Sequence, residues 1–284
     1  MINAMAEGNQ QLAKLMGQAF TGEKLTKISD DPVASIKLLG IDETLSKNNQ
    51  YNDNINNIKN KYQLYETQFD SVENNLQDAN ELLLLAKNGT MDSTSFIVEL
   101  ESLKESFVSI FNSKDNHGAY MFAGTEINEA PFIKNTVTGE WEVNPQINND
   151  TSEAVIADGV SLTNNFTTQD IDAEDILDLM NTAITELYKP TPDMNVVGAT
   201  HDQLIVSLDK VSASTAKIGS GINNMDRTEN IHLDTNLFAE ELKGSLKDLN
   251  YDEASVKLDS YSQQLEASQK IFVQLSSLSL LSQV

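Results

Sequence analysis

The chain has 284 residues, no cysteine, and 43 acidic against 19 basic residues, a formal net charge of −24. Only one basic residue, Arg227, is an arginine, so neither nucleic-acid binding, which needs a cationic footprint, nor attraction to anionic lipid is supported. Disulfides, thiol nucleophiles and zinc thiolates are excluded, no apolar run reaches membrane-spanning length, and Met1 to Gln10 lacks the basic start and apolar core of a secretory signal peptide.

The first predicted element is a short amphipathic helix over Asn9–Phe20, with Leu12, Leu15, Met16 and Ala19 on one face, ended by Thr21-Gly22. After a loop, Asp31 reads as an N-cap and Pro32 as a first helical residue, where no N–H is missed. The helix that follows carries Val33, Ile36, Leu39 and Leu45 as its apolar residues and meets an Asn-rich stretch, Asn48–Asn57. Asn competes with helix through its own side-chain bonds, so a local softening is expected there.

The next stretch organises the chain. Ile55, Ile58, Tyr62, Tyr65, Phe69, Val72, Leu76, Ala79, Leu83 and Ala86 alternate three- and four-residue spacing without a break. That is a heptad seam, which needs partner helices to cover it. Asn88-Gly89 is a stop signal. A second helix from about Ser93 carries Phe96, Leu100, Leu103, Phe107 and Ile110 at matching spacing and should fold back antiparallel.

Composition changes at His117. Residues 118–169 hold two of the five prolines and the only tryptophan. Ala119–Ala123 reads as a short strand, Thr136–Val143 as a hairpin turning near Gly139, and Ala154–Val160 as another strand. Helix returns at Asp172–Tyr188, with Ile176, Met180, Ala183 and Leu187 inward, and stops at Lys189-Pro190. A long helical pattern starts near Ala199 with Leu204, Leu208, Val211, Thr215, Ile218, Ile222 and Met225, loosens near Arg227–Asp234 and resumes with Leu237, Leu242, Leu246 and Leu249. The last helix, Glu253–Leu281, carries Leu258, Tyr261, Leu265, Phe272, Leu275, Leu278 and Leu281. The fold class is therefore mainly α, a heptad-patterned helical rod built from both ends of the chain with a small β domain inserted in the middle.

Chemistry is scarce. His117, His201 and His232 are far apart, and none has ligand partners at metal spacing. Gly219-Ser220-Gly221 lies inside a helical pattern and reads as a site of close helix packing or bending rather than a phosphate loop. The Asp31 cap accounts for half of the Asp30-Asp31 pair, and Glu240-Glu241 reads as solvated surface. No catalytic residue, cofactor or metal site is assigned. The terminal stripes are the exception to an intramolecular core, because a stripe at a free chain end is available to another subunit. Leu12, Leu15, Phe20, Leu258, Tyr261, Leu265, Phe272, Leu275, Leu278 and Leu281 are the candidate assembly or chaperone-binding residues.

Several stretches resemble one family. Thr21-Gly22-Glu23-Lys24-Leu25 with Ser29-Asp30-Asp31-Pro32-Val33-Ala34, Asn88-Gly89-Thr90, Gly118-Ala119-Tyr120-Met121-Phe122-Ala123-Gly124-Thr125 with Ala130-Pro131-Phe132, and Leu265–Phe272 are similar to the flagellar hook-associated protein 3 family, the hook–filament junction proteins related to flagellin. The helix before Thr21 is shorter than the family's usual one. The resemblance implies terminal helical segments (1–31 plus 250–284, D0-like), a helical rod (32–117 plus 170–249, D1-like) and a β-rich insertion (118–169, D2-like). It implies a structural role without catalysis, export through the flagellar type III apparatus and location in the extracellular flagellum. The implied partners are the other junction protein, flagellin, an export chaperone on the segment around Leu265–Leu281, and like subunits in a helical ring of about eleven per turn. A divergent flagellin and a secreted helical adaptor are the alternative readings.

Overall fold

The computed structural model describes the backbone of residues 2–89 and 93–281, with side chains at all of these except Ile2, Ala4, Ser93 and 275–281. Six helices are described: α1 (Ile2–Thr21), α2 (Pro32–Lys87), α3 (Ser93–Phe111), α4 (Ala173–Leu187), α5 (Met194–Lys247) and α6 (Tyr251–Leu281). Between α3 and α4 lie four short strands, β1 (Phe132–Lys134), β2 (Trp141–Val143), β3 (Glu153–Ala157) and β4 (Val160–Thr163). The predominantly helical class with a small β insertion is the one expected. The chain divides into two compact units, one of Met1–Asn48 with Leu233–Val284 and one of Asn49–His232.

The larger unit is built on the heptad seam. All ten predicted seam residues from Ile55 to Ala86 are buried. Leu204, Val211, Ile218 and Met225 of α5, Phe96, Leu100 and Phe107 of α3, and Ile176, Met180, Ala183 and Leu187 of α4 complete the same core. Burying so continuous a stripe is what lets a helix as long as α2 persist, since helix propensity alone is marginal in water.

The expected softening at Asn48–Asn57 and loosening at Arg227–Asp234 do not occur; both helices run through. The reason is polar pairing at seam spacing. In the larger unit His232 Nδ1 sits 2.8 Å from Asn52 Oδ1, and Lys59 Nζ bridges Asp226 at 2.7 Å and Glu229 at 3.1 Å. Asn54 donates to the Val155 carbonyl. In the smaller unit Asn48 donates to Asn236 Oδ1 at 2.8 Å. Asn side chains that would otherwise compete with the helix backbone are occupied by partners.

The insertion departs from expectation in three places. Ala119–Ala123 is a run of turns with one isolated bridge, Lys114 to Tyr120, and not a strand. The first hairpin exists, but β1 and β2 pair Phe132 with Val143 and Lys134 with Trp141, so Thr136-Val137-Thr138 is loop. Asn135 explains the shift: its carbonyl accepts from Gly139 N, and its side chain accepts from Val137 N and Thr138 N. Ala154–Val160 is not one strand, because the chain turns at Asp158-Gly159, with Gly159 at φ 69°, to form the β3–β4 hairpin. Aromatic side chains tie the insertion to the helices. The Tyr65 ring lies 5.3 Å from Phe122 and 5.1 Å from Phe166, and Phe111 lies 4.7 Å from Phe122. The Tyr65 hydroxyl donates to the Met121 carbonyl at 2.6 Å, and burial pushes this phenol well above its ordinary range.

Candidate assembly surface

The smaller unit holds the terminal residues. α1 and α6 lie antiparallel, since Tyr251 Oη donates to the Ala19 carbonyl at 3.3 Å while Gly8 faces Leu265. Their apolar stripes meet each other: Leu15 is buried, and Leu12, Leu258, Tyr261 and Leu265 are half-buried. The structure thus brings five of the ten candidate residues into one intramolecular pair. Phe20 is set apart at 94% exposed, and Phe272 is exposed. Leu275, Leu278 and Leu281 continue α6, but their side chains lie outside the described residues.

The loop after α1 is held by short-range chemistry that the sequence announced only in part. Asp31 caps α2 as expected, with Oδ1 accepting from Val33 N at 3.1 Å and Ala34 N at 3.0 Å. Its neighbour Asp30 has a separate task. Asp30 Oδ2 accepts from the N–H groups of Thr26 and Lys27, and Oδ1 pairs with Lys14 Nζ of α1 at 2.7 Å. The Lys14 ammonium, with these backbone donors, holds the Asp30 carboxyl down at about 2. Gly22, at φ 75°, lets the chain turn so that Lys24 N reaches the Lys247 carbonyl and Leu249 N reaches the Gly22 carbonyl. The Lys247–Glu23 ion pair at 2.7 Å closes the same contact. The α1–α2 and α5–α6 connections are therefore stitched together, backbone to backbone.

Next to this stitch, α2 turns only part of its apolar set inward. Ala34, Ile41 and Leu45 are buried, whereas Val33, Ile36 and Leu39 stand 65%, 69% and 65% exposed. The inward register is the one that continues the heptad seam upstream (41, 45, 48, 52, 55), and 33, 36 and 39 fall off it. Spacing from Ile55 was the signal available for this. Leu237 and Phe238 of α5 are likewise outward, while Ala239 is buried.

Among the described residues no three His, Cys, Asp or Glu side chains converge to hold a metal ion, and no helix is long and apolar enough to cross a membrane. Gly219 meets no neighbour, whereas Gly221 packs tightly on Tyr62, so of that pair only Gly221 has the packing role.

The smaller unit thus carries paired terminal helices and a set of outward apolar residues. Residues 1–126 match the bacterial flagellin N-terminal helical region. Flagellar hook-associated protein 3 of Salmonella typhimurium is 25% identical across an alignment that covers 98% of this chain and 95% of that protein. A solved structure of a Vibrio parahaemolyticus protein, assigned as flagellar hook-associated, is 31% identical, covers 77% of this chain and 100% of its own, and superposes with a TM-score of 0.69. Hook-associated protein 3 of Legionella pneumophila, at 14% identity over 72% of this chain and 98% of its own, shares the fold with a TM-score of 0.63. The chain belongs to the flagellar hook-associated protein 3 family.

Proposed function

We propose that this chain is a structural component of the bacterial flagellum, forming the junction layer between the hook-associated proteins and the flagellin filament. The observation that carries the reading is the end-to-end likeness to hook-associated protein 3 in a chain whose two ends pack against each other as α1 and α6. The protein acts through contacts, not catalysis. Its partners are the other junction protein, flagellin and further copies of itself, about eleven to a turn, joined by head-to-tail contacts that do not close into a dimer.

The division of labour follows the helices. Residues 1–31 with 250–284 are the terminal assembly segments, 32–117 with 170–249 the helical body, and 118–169 the outward β-rich insertion. Phe20, Phe272 and the apolar positions of the last helix engage neighbours in the assembled layer, and an export chaperone covers the segment around Leu265–Leu281 beforehand. The protein leaves the cell through the flagellar type III apparatus and resides in the extracellular flagellum. A net charge of −24 keeps exported monomers apart until assembly contacts outweigh the repulsion. Immunogold labelling of isolated flagella tests the location: label confined to the hook–filament boundary is expected, and label along the filament would overturn the junction role.

A further inference from the structure

In the smaller unit α2 and α5 pack through Ile41, Leu45 and Ala239, with Leu246 against them. An ion pair, Lys243 to Asp42 at 2.8 Å, crosses the same contact. Each helix then has an outer side opposite this seam. On α2 it is the ridge of Val33, Ile36 and Leu39; on α5 it holds Leu237 and Phe238, which are 64% and 66% exposed. Val33, Ile36 and Leu39 stand at three-residue spacing on one side of α2, and contiguous exposed apolar side chains mark interaction surfaces. Neither α1 nor α6 covers them.

The two faces differ in charge. Lys37 lies on α2 next to Ile36, and Lys27 lies in the loop that leads into α2; both are exposed and neither is ion-paired among the described residues. The α5 face carries Asp234 and Glu241 beside its apolar pair, both exposed. One face is apolar with a basic flank and the other apolar with an acidic flank, and the two point away from each other across a two-helix layer.

We propose that the α2 ridge of one copy docks on the α5 face of the next. Val33, Ile36 and Leu39 pack on Leu237 and Phe238, and Lys27 and Lys37 meet Asp234 and Glu241. Complementary charge sets the register and excludes the like-on-like arrangement. Because the faces are different and oppositely directed, the contact is heterologous and propagates from copy to copy. The inference rests on the assembly reading above and adds the surfaces that lie beside the terminal helices.

The absence of cysteine makes the test direct. Chains carrying I36C with F238C, I36C alone, F238C alone, or the remote exposed V137C are expressed in a strain deleted for the native gene, and isolated flagella are oxidised and blotted for the chain. The paired variant is expected to give a ladder of covalent multimers at least tenfold above any single variant. K27E/K37E added to the pair should abolish the ladder, and D234K/E241K added to that should restore it. Abundant dimers from I36C or F238C alone would overturn the proposal, as would cross-links to a different protein. A chain present at the junction without a ladder would also overturn it while leaving the junction role intact. A chain missing from flagella that nonetheless carry normal filaments would bring down the junction role itself.

Discussion

Gly221 of α5 lies so close to Tyr62 of α2 that a Cβ at position 221 would stand 2.6 Å from the tyrosine ring. The ring cannot simply swing away, because its hydroxyl donates to the Thr163 carbonyl at 2.7 Å and its centre lies 5.6 Å from that of the tilted Phe166 ring. One glycine thus lets α5 approach α2 while the tyrosine beneath it reaches the β insertion. Gly221→Ala should cost about 1–3 kcal/mol, the usual range for overpacking a filled core, read as a fall in the thermal midpoint. Gly219→Ala, which meets open space, should stabilise slightly or be neutral.

Tyr65 extends the same theme. Its hydroxyl donates to the buried Met121 carbonyl, so Tyr65→Phe leaves that acceptor without this partner and should destabilise by about 1–3 kcal/mol. Phe166→Ala, which removes a ring touching Tyr62, Tyr65 and Phe69, should cost about 3–5 kcal/mol. Urea unfolding of both variants checks the order, and an unchanged Phe166→Ala midpoint would contradict the anchoring role of this cluster.

His232 gives the larger unit a pH dependence. Burial lowers its pKa, opposed by nearby Glu229. Below an ordinary value of 6.5 the unfolded chain binds a proton that the folded chain resists, so stability falls as pH drops through the unfolded pKa toward the folded one. Above 6.5 this contribution is fully present. His232→Gln should flatten the stability profile between about pH 7 and 5; a wild-type profile that rises on acidification over that range would contradict the assignment.

Asp30 should remain ionised far into acid. A carbon-detected titration is expected to place its midpoint near 2, and Lys14→Met, which removes the largest cause, should move that midpoint toward the ordinary carboxylate value. Stability from this group is present above its unfolded pKa and lost as pH falls through the folded one. An unchanged midpoint in Lys14→Met would show that the backbone donors alone hold the carboxylate.

The terminal pair should be the least protected part of the free monomer. α1 and α6 cover each other only by half, and few buried contacts mean low local opening energies. Limited proteolysis should cut within residues 2–20 and 253–274 before it cuts α2 or α5. Resistance of α6 in the monomer would argue against the low protection of the terminal pair.

The helical part of this architecture was legible because one physical signal, unbroken three-four spacing from Ile55 to Ala86, dominates it. The terminal stripes were legible as helices by their spacing, but Leu12, Leu15, Leu258, Tyr261 and Leu265 meet within the chain, where the sequence alone offered them to another subunit. What escaped was polar or irregular. Asn52 and His232 looked like breaks because their partnership spans 180 residues of sequence. Strand limits in the insertion were set by Asn135 and by the turn at Asp158-Gly159, where a few side-chain and backbone bonds outweigh strand propensity. The outward turn of Val33, Ile36 and Leu39 was concealed by their own helical spacing, which fits either side of α2 until the seam downstream chooses one.

The central claim is that the chain joins hook to filament. Deleting its gene, imaging the cell surface and assaying flagellin in the medium tests this most directly. Hooks without filaments, with unpolymerised flagellin outside the cell and restoration on complementation with this chain, is the predicted result. Normal filaments on cells with no second copy of the gene would contradict it.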